Sequence, residues 1–195
     1  LKSTGREGMD YVIDDLHDLG FFDAPASAGH HLNCAGGLVR HSLNTYHAAM
    51  AVFESMKTLE PSLASEVKPE SIAIAALLHD VCKADIYKRS VKKRRDQLGN
   101  WVDSEGYKVS YRNFPMGHGE KSVILLLCSG LALNDDEMLA IRGHMGAWGI
   151  NMNSLEDTRS YDTARKRYPL VSIIHSADTL AASLMERTAE ELDDL

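Results

Sequence analysis

The sequence has no long hydrophobic run. A helix that crosses a bilayer needs about 20 mostly apolar residues, whereas the longest apolar stretches here are residues 72–78 and 123–128. Residues 1–10 are polar and lack the basic and then apolar organisation of a secretion signal. These absences predict a chain with no membrane span and no membrane partner, and we expect it in the cytoplasm.

Cysteine is scarce. The three cysteines, Cys34, Cys82 and Cys128, form no CxxC motif, and an odd number cannot all be paired within one chain. This usage fits a reducing compartment better than a disulfide framework. We expect all three to be buried thiols.

Positive charge is in deficit. The chain has 21 Lys and Arg against 28 Asp and Glu, which gives a formal net charge of −7. This balance disfavours an extensive nucleic-acid-binding surface. Residues 88–95 form the one dense basic run, KRSVKKRR. Charge runs usually lie in water, so we expect a solvated connector, with a rim that faces phosphate as the alternative.

Helical periodicity dominates the rest of the chain. With 195 residues, of which 44% are hydrophobic, we expect a single domain over residues 1–195. A different pattern, alternating around a glycine, predicts a small β-hairpin insertion over about residues 98–112. The predicted fold class is therefore an all-α helical bundle with one small hairpin. Apolar residues at steps of three and four predict helices over 38–57 and from 170 onward. An alanine-rich run that is apolar all round predicts a helix over 70–83. Helix-end signals, Gly130 and a capping box of Asn134 with Glu137, predict helices over 119–129 and 135–142.

A histidine and an aspartate, His79 and Asp80, directly follow the most apolar of these segments. A carboxylate left unpaired in an apolar interior is costly, so Asp80 needs a positive partner. His41 lies on a helix side of small residues that leaves room for a ligand, and Asp178 is one residue off the apolar stripe of the last helix. Two imidazoles and two carboxylates suit Mn, Fe, Co, Ni or Mg better than a thiolate-type zinc site.

The spaced pattern H…HD…D resembles the HD-domain superfamily of metal-dependent phosphohydrolases. Residues 30–43 look like the HH-x-GGLLxHSL signature of HD domains in YhaM-type exoribonucleases and in relaxase-associated helicases. Residues 77–83 match the LLHDxxK block of that family, and residues 175–178 match its terminal HxxD. Because these motifs agree in order and spacing, the resemblance implies an HD-type bundle whose metal ligands are His41, His79, Asp80 and Asp178.

Two further histidines, His118 and His144, lie where expanded members of the superfamily place ligands for a second metal ion. Each follows a glycine near a predicted helix end, where capping or exposure to solvent is the alternative. Gly143 stands where those members often have another histidine. The resemblance therefore implies one or two divalent metal ions, with the identity open among Mn, Fe, Ni, Co and Mg.

The ligand set and the resemblance together predict the chemistry. We expect metal-activated water to attack a phosphate ester, with Asp80 as the bridging catalytic carboxylate and Lys83 as a fixed cation that opposes charge on phosphorus. For Lys83 the alternative is that it only offsets a helix dipole. We expect His175 to support a ligand rather than bind metal itself. The expected substrate contacts are His31, for which loop packing is the alternative, together with Lys83, Lys121 and Arg142.

The hypothesis for function is a phosphodiesterase or nucleotidase that acts on a small phosphorylated substrate, a nucleotide or short oligonucleotide. Two alternatives stay open. One is a hydrolase of nucleoside mono- or triphosphates or of alarmones. The other is a non-catalytic module that binds metal or nucleotide as a sensor or scaffold. The sequence leaves the oligomeric state undetermined.

Overall fold

The computed structural model describes residues 1–95 and 99–187, and over these ranges the fold is the predicted helical bundle with one small hairpin. The two strands, β1 (Tyr87–Arg95) and β2 (Trp101–Val109), pair antiparallel. None of the helices in these ranges is long and apolar enough to cross a membrane. The helices are α1 (Met9–Leu19), α2 (Gly37–Leu59), α3 (Leu63–Glu66), α4 (Pro69–Leu78), α5 (Lys83–Ile86), α6 (His118–Cys128), α7 (Asp135–Gly143), α8 (Leu155–Arg167) and α9 (Pro169–Leu180).

Helix α4 is the centre of the bundle. Pro69 occupies its first turn, where the missing N–H costs nothing. The helix is apolar on every side, and Ile72, Ile74 and Leu78 are fully buried. It packs against α2, α7 and α9, so residues at its C-terminal end lie among the ends of three other helices.

The predicted helix over 70–83 is shorter than expected. It ends at Leu78, and residues 79–82 form a turn before α5 begins. The Nδ1–H of His79 donates to the carbonyl oxygen of Ala76 at 2.8 Å. The His79 side chain thereby hydrogen-bonds one of the carbonyl groups that a helix end leaves without a backbone partner. The His79–Asp80 pair therefore lies in a turn rather than along a helix.

The strands of the hairpin cover residues 87–95 and 101–109, not about 98–112, and residue 98 of the predicted range lies outside the described residues. The basic run forms β1, where it pairs from Tyr87 opposite Val109 to Arg95 opposite Trp101. It is therefore a strand and not a connector. Lysine and arginine show no apolar alternation, so this strand arises from pairing with β2 and not from its own burial.

The burial of the cysteines differs in part from expectation. Cys82 is buried, but Cys34 and Cys128 are exposed.

The end of the last helix also differs from a regular helix. The helix is regular only to Leu180, and residues 181–185 continue as one turn of π-helix. This wider turn changes the direction in which the following residue, Glu186, points.

Candidate metal centre

Four side chains from three helix ends meet in the interior. His41 comes from the first turns of α2, His79 and Asp80 from the turn after α4, and Asp178 from the last turn of α9. His41 Nε2 lies 3.1 Å from an oxygen of Asp178 and 3.4 Å from Oδ2 of Asp80. His79 Nε2 lies 3.2 Å from the same Asp80 oxygen and 3.8 Å from Asp178. The structure thus brings together the four residues that the sequence singled out.

Asp80 joins this group to a second pair of histidines. Its Oδ1 lies 2.5 Å from His118 Nε2 and 3.4 Å from His144 Nε2. Its Oδ2, which faces His41 and His79, also accepts from Lys83 Nζ at 2.6 Å. Because each carboxylate oxygen faces a different set of nitrogens, Asp80 has the position of a bridging ligand.

A close approach of two helices sets the second pair of histidines side by side. A Cβ at Gly119 would collide with the backbone of Arg142, so glycine allows the start of α6 to pack on the end of α7. The rings of His118 and His144 are consequently 5.6 Å apart between centroids. At Gly143 a Cβ would lie 3.1 Å from the Tyr161 ring, which leaves little room for a further histidine there.

The buried donor atoms fit a divalent cation. His144 Nδ1 donates to the carbonyl of Ile141 at 2.7 Å, so its Nε2 carries a lone pair. That Nε2 is buried and makes no hydrogen bond within the described residues. His79 has the same arrangement, with its Nδ1 proton held by Ala76 and its Nε2 facing Asp80. Inward lone pairs fixed by outward N–H bonds are typical of metal-binding histidines.

The carboxylates shift the pKa values of the surrounding histidines. Burial lowers the pKa of His41, but hydrogen bonds to Asp178, Asp80 and Glu186 outweigh that effect and raise it to about 11. For His118, burial opposes the charge and hydrogen bond of Asp80, which raise the pKa to about 9. His79 has a lowered pKa because burial dominates there. Without a cation, protons on His41 and His118 therefore balance part of the negative charge.

The two carboxyl groups stay ionised. Burial acts to raise the pKa of Asp80, but the charges of Lys83, His79 and His118 hold it well below its usual range. Burial also acts to raise the pKa of Asp178, but its hydrogen bond to His41 and the charges of His79 and His144 together lower it. Lys83 is itself buried, and the charge of Asp80 keeps its pKa raised despite that burial. The cluster therefore holds two carboxylates and one permanent cation.

Of the other predicted substrate contacts, only His31 lies at the cluster. Its ring is 5.4 Å from that of His41 between centroids, and its side chain is 24% exposed. Asp178 and His118 are 18% and 21% exposed, whereas the side chains of His41 and His144 are 1% exposed. His31, Asp178 and His118 are therefore the more exposed side chains of the cluster.

Lys121 and Arg142 are engaged elsewhere. Lys121 is buried, and its Nζ donates to Asp85 at 2.5 Å and to the carbonyl of Asn113 at 2.9 Å. Arg142 pairs with Glu120 at 3.2 Å. Both cations pair with carboxylates outside this cluster, and their contact with a phosphate stays a prediction.

Sequence reasoning missed Glu186. Its carboxylate is buried, accepts from His41 Nδ1 at 3.0 Å and also accepts from Asn44 Nδ2 at 3.0 Å. The residue follows the π-helical turn, and no periodic pattern in the sequence places it beside α2. Glu186 holds the Nδ1 proton of His41 and so aims Nε2 of that ring at Asp80 and Asp178.

Two more side chains adjoin the ligands. Cys82, predicted as a buried core thiol, is buried and has its Sγ 3.5 Å from His118 Nδ1. His175 donates to the backbone carbonyl of His144 at 2.7 Å. This contact holds the backbone of His144, one of the candidate ligands.

Comparison with known proteins agrees with this geometry. A protein family model described as HD domain matches residues 38–183, which include all six ligand candidates. Neither the curated proteins nor the solved structures contain a match to the chain. The family match covers most of the chain, from the second residue of α2 to the π-helical turn.

Proposed function

Because this chain belongs to the HD domain family, whose members are generally metal-dependent hydrolases, we propose that it hydrolyses a phosphate ester of a nucleotide or short oligonucleotide. The proposed activity is that of a phosphodiesterase or nucleotidase. The observation that carries it is the buried convergence of four imidazoles on the two oxygens of Asp80, with one imidazole nitrogen, His144 Nε2, left without a hydrogen bond within the described residues.

The donor atoms divide into two groups around Asp80. His41, His79, Asp80 and Asp178 would hold one divalent ion, and His118 and His144 would hold a second together with Asp80. When bound, such ions supply a water of lowered pKa and polarise the phosphoryl oxygens. Nitrogen and carboxylate ligands accept Mn, Fe, Co, Ni or Mg, and the choice among them stays a prediction.

The chain's own residues position the reacting groups. Lys83 places a buried ammonium 2.6 Å from Asp80, where it can bind a phosphoryl oxygen and oppose the negative charge that develops in the transition state. The backbone carbonyls of Ala76 and Ile141 hold the Nδ1 protons of His79 and His144, and Glu186 holds that of His41. Burial of these groups excludes bulk water, so their orientation is set before substrate arrives.

We expect substrate to approach past the more exposed side chains of the cluster. His31 is one of them and can donate a hydrogen bond to a non-reacting phosphate oxygen. Its pKa is lowered by burial and by the nearby charges of His41 and Lys83. We therefore assign His31 to binding as a neutral donor.

The test measures release of p-nitrophenol from bis-(p-nitrophenyl) phosphate and from p-nitrophenyl phosphate with Mn²⁺ or Ni²⁺ added. We expect turnover with at least one ester, and loss of it in His79→Ala. The matched control is His47→Ala, on the exposed face of α2, which should retain wild-type activity. Thermal stabilisation by nucleotides without turnover of any ester would contradict hydrolysis and favour a sensor.

A further inference from the structure

The hairpin has a charge opposite to that of the whole protein. Six of the nine residues of β1 are lysine or arginine and none is acidic, whereas the chain carries a net charge of −7. In β2, Asp103 and Glu105 are the acidic residues, and they lie opposite Lys93 and Val91. Concentrating cations on one strand of an acidic protein creates a local surface that attracts polyanions.

This strand begins beside the metal centre. α5 starts with Lys83 and leads directly into β1 at Tyr87, and the backbone N–H of Ser110 donates to Ile86 at 2.8 Å, which closes the base of the hairpin. Tyr87 is close enough that the charges of Lys83 and Asp80 act on its pKa, which burial raises. The basic strand therefore extends outward from the catalytic lysine.

A cleft runs between this hairpin and the loop that follows His31. Its volume is about 560 Å³. Ser90 is one of the residues that line the cleft. Its hydroxyl oxygen is buried and has no hydrogen-bond partner in the part of the chain that the structure describes. A buried polar atom without a partner in a cleft wall is a place where a ligand can supply the missing bond. The residues that line the cleft are Asn33, Cys34 and Ala35 of the loop and Arg89–Val91 and Glu105–Tyr107 of the hairpin.

Two aromatic side chains of β2 lie opposite cationic residues of β1. Trp101, at the far end of the hairpin, is 65% exposed, and the guanidinium of Arg95 lies 5.2 Å from its ring centre. Tyr107 lies opposite Arg89 and lines the cleft. Trp101 is exposed and Tyr107 is partly buried. Accessible rings beside a row of cations are the combination that binds single-stranded nucleic acid, with bases stacked on the rings and phosphates along the cations.

We propose that the hairpin and this cleft bind a single-stranded oligonucleotide and lead one of its phosphodiester bonds to the metal centre. The inference rests on the proposed phosphohydrolase function and narrows its substrate to a chain several nucleotides long. A mononucleotide would leave the outer cations and Trp101 unused. A duplex would hide the bases from the rings, and a vesicle surface would not fit a cleft of this size.

Affinity for an oligonucleotide can be measured without turnover. Fluorescence anisotropy with a 5′-labelled 12-nucleotide strand, as RNA and as DNA, is recorded in EDTA for the wild type and for Arg89→Glu/Lys93→Glu, whose two side chains are exposed on one face of β1. We expect at least tenfold weaker binding in the variant. The slope of log affinity against log salt should fall by about 1.4, since each phosphate contact on a single strand contributes about 0.7.

The matched control, Lys68→Glu/Lys166→Glu, reverses the charge of two exposed lysines outside the hairpin. It changes the net charge by the same amount and should weaken binding less than twofold. Trp101→Ala should weaken binding at least fivefold without changing the salt slope, and Trp101→Phe should restore most of the loss. Equal affinity of the hairpin variant and the control, or tighter binding of anionic vesicles than of single strands, would overturn the proposal.

Turnover separates this inference from the function it rests on. Oligonucleotide cleavage is expressed as a ratio to hydrolysis of bis-(p-nitrophenyl) phosphate by the same variant, and we expect the ratio to fall at least tenfold in Arg89→Glu/Lys93→Glu. An equal fall for a mononucleotide ester would contradict the docking role. Binding in EDTA that follows the predictions, with no hydrolysis of any ester, would retain the docking surface and reject the phosphohydrolase.

Discussion

The metal centre and the hairpin use charged residues in opposite ways. In the metal centre the charges are buried, and each one has a defined partner, as Lys83 and Asp80 have each other. Along β1 the cations Lys88, Arg89 and Lys93 lie in water. Buried charges are tolerated only when paired, so their positions are fixed by the fold. Exposed cations cost the fold little, so their arrangement is free to match a molecule from outside.

The largest contrast should come from removing one carboxylate in each region. Asp80→Asn should lower metal-dependent ester hydrolysis by at least about a thousandfold, because one residue serves both groups of ligands. The equivalent change in the hairpin, Asp103→Asn, should alter hydrolysis of the small ester less than twofold. The measurement is initial rate with Mn²⁺, alongside metal content by mass spectrometry. Hydrolysis by Asp80→Asn at more than a tenth of the wild-type rate would contradict the bridging role.

Truncation of an apolar side chain should also affect the two regions differently, here in the free energy of unfolding. Ile74 is fully buried, and Ile74→Ala should reduce the free energy of unfolding by about 2–5 kcal/mol. Val91, in β1, is 69% exposed, and Val91→Ala should change it by less than about 0.5 kcal/mol. Chemical denaturation followed by circular dichroism measures both. Similar losses in the two variants would mean that the hairpin is packed more tightly than the structure shows.

The pH dependence of stability tests the paired charges of the metal centre. The folded pKa values of His41 and His118, about 11 and about 9, lie above the unfolded value of 6.5. Their stabilisation is therefore complete below pH 6.5 and is lost as pH rises toward the folded values. We expect the melting temperature of the metal-free protein to fall from pH 7 to pH 9. The free energy of unfolding should decrease by about 2–4 kcal/mol over this range.

Two variants test whether the histidines of the metal centre cause this dependence of melting temperature on pH. His118→Gln should make the dependence weaker, and His47→Gln, at an exposed position of α2, should leave it unchanged. Saturating Mn²⁺ requires neutral imidazoles, so metal affinity should rise over the same range. A melting temperature of the metal-free wild type that stays constant or rises between pH 7 and pH 9 would show that these histidines are not held as cations.

The smallest expected effect is that of Glu186. Glu186→Gln keeps a hydrogen-bond acceptor for His41 Nδ1 but removes the negative charge, and we expect Mn²⁺ affinity to fall about tenfold. Glu120→Gln, at the Arg142 ion pair, is the control and should leave affinity unchanged. Isothermal titration calorimetry measures both constants. An affinity of Glu186→Gln within twofold of the wild type would reduce Glu186 to a packing role.

The sequence predicted the bundle, and it singled out the four residues that the structure brings together, because both predictions depend on local patterns. The apolar run before His79 predicted the central helix α4, and the spacing of the histidines and aspartates identified the residues that meet there. The start of α7 was also predicted, since Glu137 accepts from the backbone N–H of Asn134 at 2.9 Å in a capping box.

The features that the sequence did not predict depend on contacts distant in the chain. β1 forms only because β2 pairs with it, so its basic residues carry no strand signal of their own. Glu186 reaches His41 through a π-helical turn, which shifts the register that a regular helix would have. α8 has one buried residue, Ala164, and so lacks an apolar stripe. α1 had a usable signal, because Met9, Val12 and Leu16 are spaced by three and four and are buried.

The most direct test of the metal centre is a crystal of the protein grown with Mn²⁺ and measured at the manganese absorption edge. We expect an anomalous peak within coordination distance of His79, Asp80 and Asp178, and no such peak in crystals of Asp80→Asn. A manganese ion bound outside this cluster in the wild type, or no bound ion at concentrations that support hydrolysis, would contradict this expectation.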